Sequence, residues 1–337
     1  MTSRLAVVAV LAVASPVSAI AASTKDPDVP FVKYSLDNGL EVILHQDRAV
    51  PLVHVDVWYH VGSGDEDPGK TGFAHLFEHM MFQGTKDTGE DRHFAILREI
   101  GGKDENGTTN TDRTNYFETV PSHQLETALW LESERMGYLL GAVTGKSLDN
   151  QKEVVRNERR QNYDNVPFGK DRFATAAMLY PEGHPLRYLT IGRHEDVDGA
   201  KLADVRSFFK KWYRPSNATL CLAGDFEMDQ AKALVKKWFG SFPKLDRPEQ
   251  RELDPSKEKI QTAHVELRDG LAKLRRVHFV WHSPANFAPG DAALDVASDA
   301  LGPRERAVFR GAWSSRSVCA GRCGCSRGRS SGRRHST

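Results

Sequence analysis

The sequence has little cysteine: four residues in 337, of which only Cys221 lies before residue 301. A disulfide framework is therefore excluded for the body of the chain, because a disulfide bond needs a pair of cysteines. The sequence also lacks a glycine-rich phosphate loop and regularly spaced βαβ units, which argues for an α+β fold and against a regular βαβ architecture. After the N-terminal segment, no run is apolar enough to span a membrane.

The N-terminal segment has the pattern of a secretory signal peptide. It combines a basic residue, Arg4, the apolar run LAVVAVLAVA, and small residues at Ser18 and Ala19. The apolar run is too short for a membrane helix and is typical of a signal sequence. We therefore expect a signal peptide over residues 1–22 and export to a bacterial periplasm or secretion.

Lysine and acidic residues are scarce at the C-terminal end. From Leu301 onward there are nine arginines, one glutamate, and neither lysine nor aspartate, a net charge of +8 against −7 for the rest of the chain. We expect residues 302–337 to be an aberrant basic tail, disordered and without a hydrophobic pattern. Its composition is what a shifted reading frame in GC-rich DNA would give, and the alternative is a native disordered tail.

The rest of the chain alternates predicted strands and helices. FVKYSLDNGLEVILHQD predicts a hairpin that turns at Asp37–Gly39, while LVHVDVWYHVGS and ATLCLAGDF predict further strands. ETVPSHQLETALWLESERMGYLL, the stretch from Leu148 to Tyr163, KLADVRSFFKKWY and DAALDVASDAL predict helices, and TAHVELRD and RRVHFVWHSP predict late strands. This order favours an α+β fold with a largely antiparallel sheet packed by helices.

A stretch rich in proline and charge divides the predicted elements. SFPKLDRPEQRELDPSKEK, which starts at Ser241, is typical of an interdomain linker. We therefore expect a first domain over residues 30–242, a linker over 243–260, and the start of a second domain over 261–301.

One predicted helix, HLFEHMMF over residues 75–82, carries two histidines and a glutamate in an apolar run. In a helix, His75 and His79 lie one turn apart and Glu78 projects from the same side. This His-x-x-Glu-His order is the inverzincin arrangement, in which the histidines bind zinc and the glutamate acts as general base. Either histidine alone would more often be a core residue, but an unpartnered buried Glu78 would be costly, so the group favours a metal site. A third ligand must come from elsewhere.

Four segments occur in an order that identifies a family. They are GFAHLFEHMMFQGT, GGKDENGTTNTDRTNYFETV, KEVVRNERRQNYDNVPFG, and GHPLRYLTIGRHEDV with YRPSNATLCLAGDF. Over roughly residues 30–301 the chain resembles the M16 zinc metallopeptidases, which include pitrilysin, insulysin and the mitochondrial processing peptidase. The resemblance implies an M16-type metallohydrolase domain followed by the beginning of a second related domain. It also implies Zn²⁺ as cofactor and endopeptidase activity on extended or unfolded peptides.

The resemblance assigns roles to individual residues. It makes Glu158, in VVRNERRQ, the third zinc ligand beside His75 and His79. Spacing alone does not choose between Glu158 and Glu153, which lie in the same predicted helix. Gln151 stands where the family often carries another glutamate, so the hydrogen bonding around the zinc ligands can differ here.

The segment from Asn106 to Tyr116 is similar to the strand that binds substrate in the family. An extended peptide adds to that strand through main-chain hydrogen bonds. By this resemblance Asn106, Gly107 and Thr109 are candidate substrate-binding residues, with Gly107 in place of the usual alanine. Without the zinc motif upstream, the segment would be interpreted as an ordinary polar hairpin.

Three other functions share some of these features. S-ribosylhomocysteine lyase has the same metal motif with a cysteine ligand, for which Cys221 is the candidate, but it is a small cytosolic enzyme and the signal peptide argues against it. The main alternative is a non-catalytic or incomplete M16 partner subunit that needs a second chain to form the cleft. Nucleic-acid binding through the arginine tail ranks last, because the tail lacks interleaved aromatic residues. The expected partners are a peptide substrate and a second M16 subunit or domain, with no nucleic acid and no membrane span.

Overall fold

The computed structural model describes residues 28–90, 92–251, 263–284, 287–301 and 317–323. The expected signal peptide lies outside the described residues, as do residues 252–260 of the expected linker. From Phe31 onward the described residues belong to one compact unit. Every helix in the described part of the chain is too short or too polar to cross a lipid bilayer.

A mixed six-stranded sheet organises the first part of the chain. In chain order its strands are β1 (Val32–Ser35), β2 (Glu41–Gln46), β3 (Leu52–Tyr59), β4 (Lys103–Thr109), β5 (Thr114–Pro121) and β6 (Ala218–Gly224). Across the sheet the order is β1-β2-β6-β3-β5-β4. Strands β2 and β6 run parallel, and the other neighbours in this sheet are antiparallel. The predicted α+β fold with a largely antiparallel sheet is confirmed.

The predicted hairpin between β1 and β2 is confirmed. Gly39 has a φ of +92°, a conformation that glycine adopts more readily than other residues. The side-chain amide of Asn38 donates a hydrogen bond to the carbonyl of Phe239 at 2.7 Å. The turn is therefore fixed both by its own backbone and by a distant helix end.

Helices connect the strands and pack against one face of the sheet. They are α1 (Phe73–Met80), α2 (His93–Glu99), α3 (Leu125–Tyr138), α4 (Gly145–Arg159), α5 (Asp171–Leu179), α6 (His194–Gly199), α7 (Leu202–Trp212), α8 (Met228–Phe239) and α9 (Asp291–Leu301). A π-helical turn, Arg160–Asp164, extends α4.

The helix predicted from ETVPSHQLETALW begins later than its pattern indicates. Residues 118–121 belong to β5, where Glu118 pairs with Val55 and Pro121 pairs with Leu52 of β3. Helix α3 begins only at Leu125. Pairing with β3 supplies backbone hydrogen bonds that a local pattern does not reveal, so the start of this predicted helix is corrected.

The core lies between the sheet and the helices. Val53, Val55, Val57 and Tyr59 alternate along β3 and are fully buried, as the one-sided pattern predicts. They share a single core with Phe77 and other side chains of α1. Burial of each such side chain contributes roughly 1.5–3 kcal/mol, so α1 is held firmly against the sheet.

Two strands beyond residue 262 form a second, smaller sheet. Strand β7 (Arg276–His282) pairs in parallel with β8 (Ser317–Cys323). The strand predicted over residues 262–269 is wrong where the structure describes it. Residues 263–269 are largely exposed and pair with no strand in the described part of the chain, so their backbone lacks the partner that a strand requires. Strand β8 falls within the segment expected to be disordered, and the rest of that segment lies outside the described residues. The domain boundaries stay predictions.

Candidate metal centre

The start of α1 is fixed by a buried carboxylate. Glu66 accepts hydrogen bonds from the backbone N–H groups of Gly72 and Ala74, at 3.0 and 2.8 Å. These N–H groups lie at the N-terminus of the helix, where the backbone has no intrahelical partner. The helix then presents His75 and His79 one turn apart, with ring centroids separated by 4.7 Å.

Helix α4 brings Glu158 to the two histidines. Its Oε2 atom lies 3.5 Å from Nε2 of His75 and 3.4 Å from Nε2 of His79. Glu153, the other candidate in the same helix, instead pairs with Arg156 on the exposed side of α4. The geometry therefore separates two glutamates that spacing alone does not.

The separation of these donor atoms fits a tetrahedral zinc ion. Zinc bonds to histidine nitrogen and carboxylate oxygen are about 2.0–2.2 Å long, which places the ligand atoms of a tetrahedron about 3.3–3.6 Å apart. The observed separations of 3.4 and 3.5 Å match that edge. They exceed the length of a good direct hydrogen bond, about 2.7–3.2 Å. Two imidazole nitrogens and one carboxylate oxygen are also a donor set found in catalytic zinc sites.

The favoured protonation states are those that bind metals. Burial, and secondarily the neighbouring His79, lowers the pKa of His75 to about 4, so this ring is neutral near pH 7. Interaction with the His79 ring lowers the pKa of Glu158, which favours its carboxylate form. A neutral imidazole and an ionised carboxylate are the forms that coordinate zinc.

The second ring nitrogen of His75 has no hydrogen-bond partner among the described residues. This Nδ1 atom is buried, although metal-binding histidines usually donate that N–H to a carboxylate or carbonyl. Gln151, which stands where the M16 pattern often has glutamate, is buried on the same helix as Glu158.

Glu78 lies against strand β4. Its Oε2 atom accepts a hydrogen bond from the hydroxyl of Thr109 at 2.5 Å. Burial raises the pKa of Glu78, and the bond from Thr109 partly opposes that change; a raised pKa suits a carboxyl that takes up and releases a proton near neutral pH. A Cβ at Gly107 would lie 3.0 Å from Cγ of Glu78, so the glycine permits this close approach.

The predicted substrate segment consists of two antiparallel strands, β4 and β5, joined by a short turn. Strand β4 lies at the edge of the six-stranded sheet, so its outer backbone groups have no strand partner within the described chain. Gly107 and Thr109 share the face toward Glu78. Asn106 is exposed on the opposite face, where its side-chain oxygen accepts a hydrogen bond from the N–H of Gly107. The structure thus brings Gly107 and Thr109 to Glu78 and places Asn106 away from it.

The contact between Thr109 and Glu78 was missed by sequence reasoning, which treated Thr109 only as a substrate contact. A signal for it was present, because Gly107 and Thr109 are two positions apart and must share one face of a strand. The pattern does not say which face meets the helix, so the partner could not be named.

A buried ionic cluster between β5 and α3 was also missed by sequence reasoning. Glu118 and Glu132 are 0% exposed and Arg135 is 2% exposed. The guanidinium of Arg135 bonds to Glu132, lies 3.5 Å from Glu118, and stacks 4.6 Å above the ring of Tyr116. With His93 the two glutamates form a second group of potential metal donors, but Arg135 already supplies the positive charge there. This arrangement favours a structural role.

Two family models match most of this chain. The model described as Insulinase (Peptidase family M16) matches residues 41–186, which contain both histidines, Glu78 and Glu158. The model described as Peptidase M16 inactive domain matches residues 200–310. The chain belongs to peptidase family M16. Its fold is the M16 fold, with both types of M16 domain present at least in part.

Relatives of this M16 chain are named as proteases. Zinc protease PqqE of Helicobacter pylori is 33% identical over 274 residues, which are 80% of this chain and 60% of that protein. The crystal structure of a protease from Helicobacter pylori matches with a TM-score of 0.68 at 27% identity, covering 85% of this chain and 68% of that chain. The crystal structure of the first half of the periplasmic protease PqqL from Escherichia coli matches with a TM-score of 0.60 at 27% identity. The match covers 66% of this chain and 48% of that chain.

The names of the relatives support a peptidase function and zinc as the metal. The chain spans 60% of the length of its Helicobacter relative, so the activity of that whole protein does not transfer directly.

Proposed function

We propose that this M16 chain is a zinc-dependent endopeptidase that hydrolyses extended or unfolded peptides. His75, His79 and Glu158 hold the zinc, and Glu78 is the general base. The observation that carries this proposal is the convergence of donor atoms from two helices, at separations of 3.4 and 3.5 Å, beside a buried carboxylate. The zinc proteases among the relatives give it independent support.

Zinc, when bound, supplies a Lewis acid that polarises a peptide carbonyl and lowers the pKa of a water molecule. The proton transfers belong to Glu78. Its carboxylate accepts a proton from the water that attacks the carbonyl carbon, and the resulting carboxyl donates a proton to the leaving nitrogen as the C–N bond breaks. The hydroxyl of Thr109 holds Oε2 and so orients the carboxylate during both transfers.

The edge strand β4 determines which substrates fit. A peptide that adds to an edge strand must have a free, extended backbone, which a folded protein rarely presents. Asn106, Gly107 and Thr109 are the proposed contact residues, and the lack of a side chain at Gly107 lets Glu78 lie close against this strand. Unstructured peptides are therefore the proposed substrate class.

The working enzyme in this proposal contains a second M16 domain or subunit that completes the cleft. The support for it is the length of the Helicobacter relative, of which the chain spans 60%. The alternative is a non-catalytic or incomplete M16 partner subunit that needs a second chain to form the cleft, and the intact donor set favours the catalytic role. The proposed location is the periplasm or the exterior, from the predicted signal peptide and from the periplasmic protease among the structural neighbours.

A peptidase assay with matched variants tests this proposal. The zinc-loaded chain should cleave an unstructured, internally quenched peptide, and Glu78→Gln should lose about 100-fold or more of that activity, the usual share of general acid–base catalysis. Glu153→Gln makes the same chemical change on the exposed side of α4 and should keep the wild-type rate. Wild-type activity in Glu78→Gln, or cleavage that survives complete removal of zinc, would contradict the proposal. A chain that binds zinc but cleaves nothing on its own would favour the alternative, a non-catalytic or incomplete M16 subunit that needs a second chain to form the cleft.

A further inference from the structure

The segment 191–198, here called the clasp, contacts both the residues that lead into α1 and the helix α4, and these two helices carry the candidate zinc ligands. Most of it belongs to the GHPLRYLTIGRHEDV block, which the proposed mechanism leaves without a role. Ile191 and Val197 are 4% and 2% exposed and anchor the clasp in the core. Its polar groups are therefore held at defined positions beside α1 and α4.

On the α1 side, the clasp bonds to Thr71, four positions before His75. The hydroxyl of Thr71 donates to Oδ2 of Asp196 at 2.6 Å, and its backbone N–H donates to the same oxygen at 3.1 Å. The Thr71 hydroxyl also accepts a hydrogen bond from the backbone N–H of Arg193 at 2.9 Å. Thr71 is buried, so water competes little for these bonds.

The backbone of the clasp also lies in close contact with the backbone just before α1. Gly192 and Gly72 have φ values of +72° and +86°. A Cβ at Gly192 would lie 2.4 Å from Cα of Gly72 and 2.4 Å from the carbonyl oxygen of Thr71. Both obstructing atoms belong to the backbone, so no side-chain rotation could relieve the clash. A larger residue at position 192 must push the clasp away from α1.

On the α4 side, basic residues at positions 152, 156 and 159 share one face of the helix. Arg159 donates to the carbonyl of Gly192 at 2.5 Å. Arg156 donates to the carboxylate of Asp198 at 3.0 Å, and Lys152 donates to its carbonyl at 3.2 Å. Arg159 directly follows the third candidate ligand, so the clasp acts on the turn of α4 that presents this ligand.

We propose that the clasp sets the distance between α1 and α4 and so preorganises the zinc site, with Thr71, Gly192 and Arg159 as positioning residues. The zinc part of this inference rests on the proposed function, whereas the spacing of the two helices is a property of the protein alone. When the ligands are already in place, zinc binding does not have to order them. Loosening the clasp therefore lowers zinc affinity even though every ligand is still present.

Zinc affinity of the full chain, measured by competition with a chelator, is the first test. Thr71→Val and Gly192→Ala should weaken zinc binding by about 10- to 100-fold, the range for residues that support metal ligands. Thr71→Ser keeps the hydroxyl and should retain wild-type affinity. Gly183→Ala is the matched control, because Gly183 lies in the same block at a φ of +82° with nothing within 4 Å of the added Cβ. It should bind zinc like the wild type.

Arg159→Met is a second way to break the clasp, from the α4 side. It keeps the proposal testable if a change at Thr71 or Gly192 prevents folding. The double variant Thr71→Val/Arg159→Met then distinguishes a clasp from two local effects. If the clasp links α1 to α4, breaking its contact with either side is enough to release it. The double variant should therefore bind zinc no more weakly than the single variant with the lower zinc affinity. Wild-type affinity in both single variants, or losses that multiply in the double variant, would overturn the proposal.

Hydrogen exchange of the zinc-free protein separates the clasp from the proposed function. Breaking the clasp should speed amide exchange together in the first turn of α1 and the last turn of α4, in Thr71→Val but not in Gly183→Ala. If the wild type bound no zinc, the proposed function would fail, and the exchange rates would still decide on the clasp. Unchanged exchange in both helices would reject the clasp even if zinc binds.

Discussion

Replacing Thr109 by valine should reveal how strongly the edge strand stabilises Glu78. Valine keeps the shape and β-branching of threonine but removes the hydroxyl that donates to Oε2 of Glu78 at 2.5 Å. Glu78 is only 8% exposed, so water does not readily replace the lost donor. A hydrogen bond to a charged group contributes about 1.5–3 kcal/mol, and we expect the free energy of unfolding to fall by that amount.

Urea unfolding of the zinc-free protein at about pH 8, where a carboxyl is normally ionised, measures this effect in a double-mutant cycle with Glu78→Gln. In the Glu78→Gln background, which lacks the charge, Thr109→Val should lower the free energy of unfolding by about 1 kcal/mol or less. The coupling energy between the two positions should then be about 1–2 kcal/mol. Thr119→Val is the control, since its hydroxyl bonds to His54 at the far end of β5. It should show no coupling to Glu78→Gln. A coupling energy below about 0.5 kcal/mol for Thr109→Val would refute the reasoning that Thr109 holds the base.

Three further predictions concern stability. Arg135→Met should lower the free energy of unfolding by about 3–5 kcal/mol, because Glu118 and Glu132 would lose their buried cation; a loss under about 1 kcal/mol in urea unfolding would speak against this role. Burial raises the pKa of Asp65 from its ordinary 3.8 to about 6, so the stability due to its protonated form is lost as pH rises through this range. The stability of Asp65→Asn relative to wild type should thus increase by up to about 3 kcal/mol between about pH 4 and pH 7, and a constant difference would show the pKa to be ordinary. Glu66→Ala should destabilise the protein by about 1–3 kcal/mol, because two N–H groups at the start of α1 lose their acceptor; unchanged thermal unfolding would count against that cap.

The paired histidines and their helix were predictable because the information is local. An apolar run with histidines one turn apart determines both the helix and the shared direction of His75 and His79. Strand β3 was predictable for the same reason, since its alternating apolar residues indicate one buried face. The largely antiparallel sheet followed from the order of such segments, without knowledge of which strands are neighbours.

Contacts between distant segments were not predictable in this way. Glu158 could be chosen over Glu153 only through the family resemblance, because nothing in the sequence of α4 distinguishes them until the fold brings one of them to α1. The bond from Thr109 to Glu78 depends on which face of β4 meets that helix. The late start of α3 and the missing strand over residues 263–269 have one cause: a strand depends on a partner, which the local pattern does not show.

The central claim is that α1 and α4 together bind one zinc ion, and metal content measured after dialysis tests it most directly. The wild type, Glu78→Gln and Glu153→Gln should each retain about one zinc per chain, because all three keep the full set of donors. Glu158→Gln should retain almost none, since it removes the carboxylate that lies 3.4 and 3.5 Å from the two histidine nitrogens. A full zinc in Glu158→Gln, or loss of zinc in Glu153→Gln, would contradict the account.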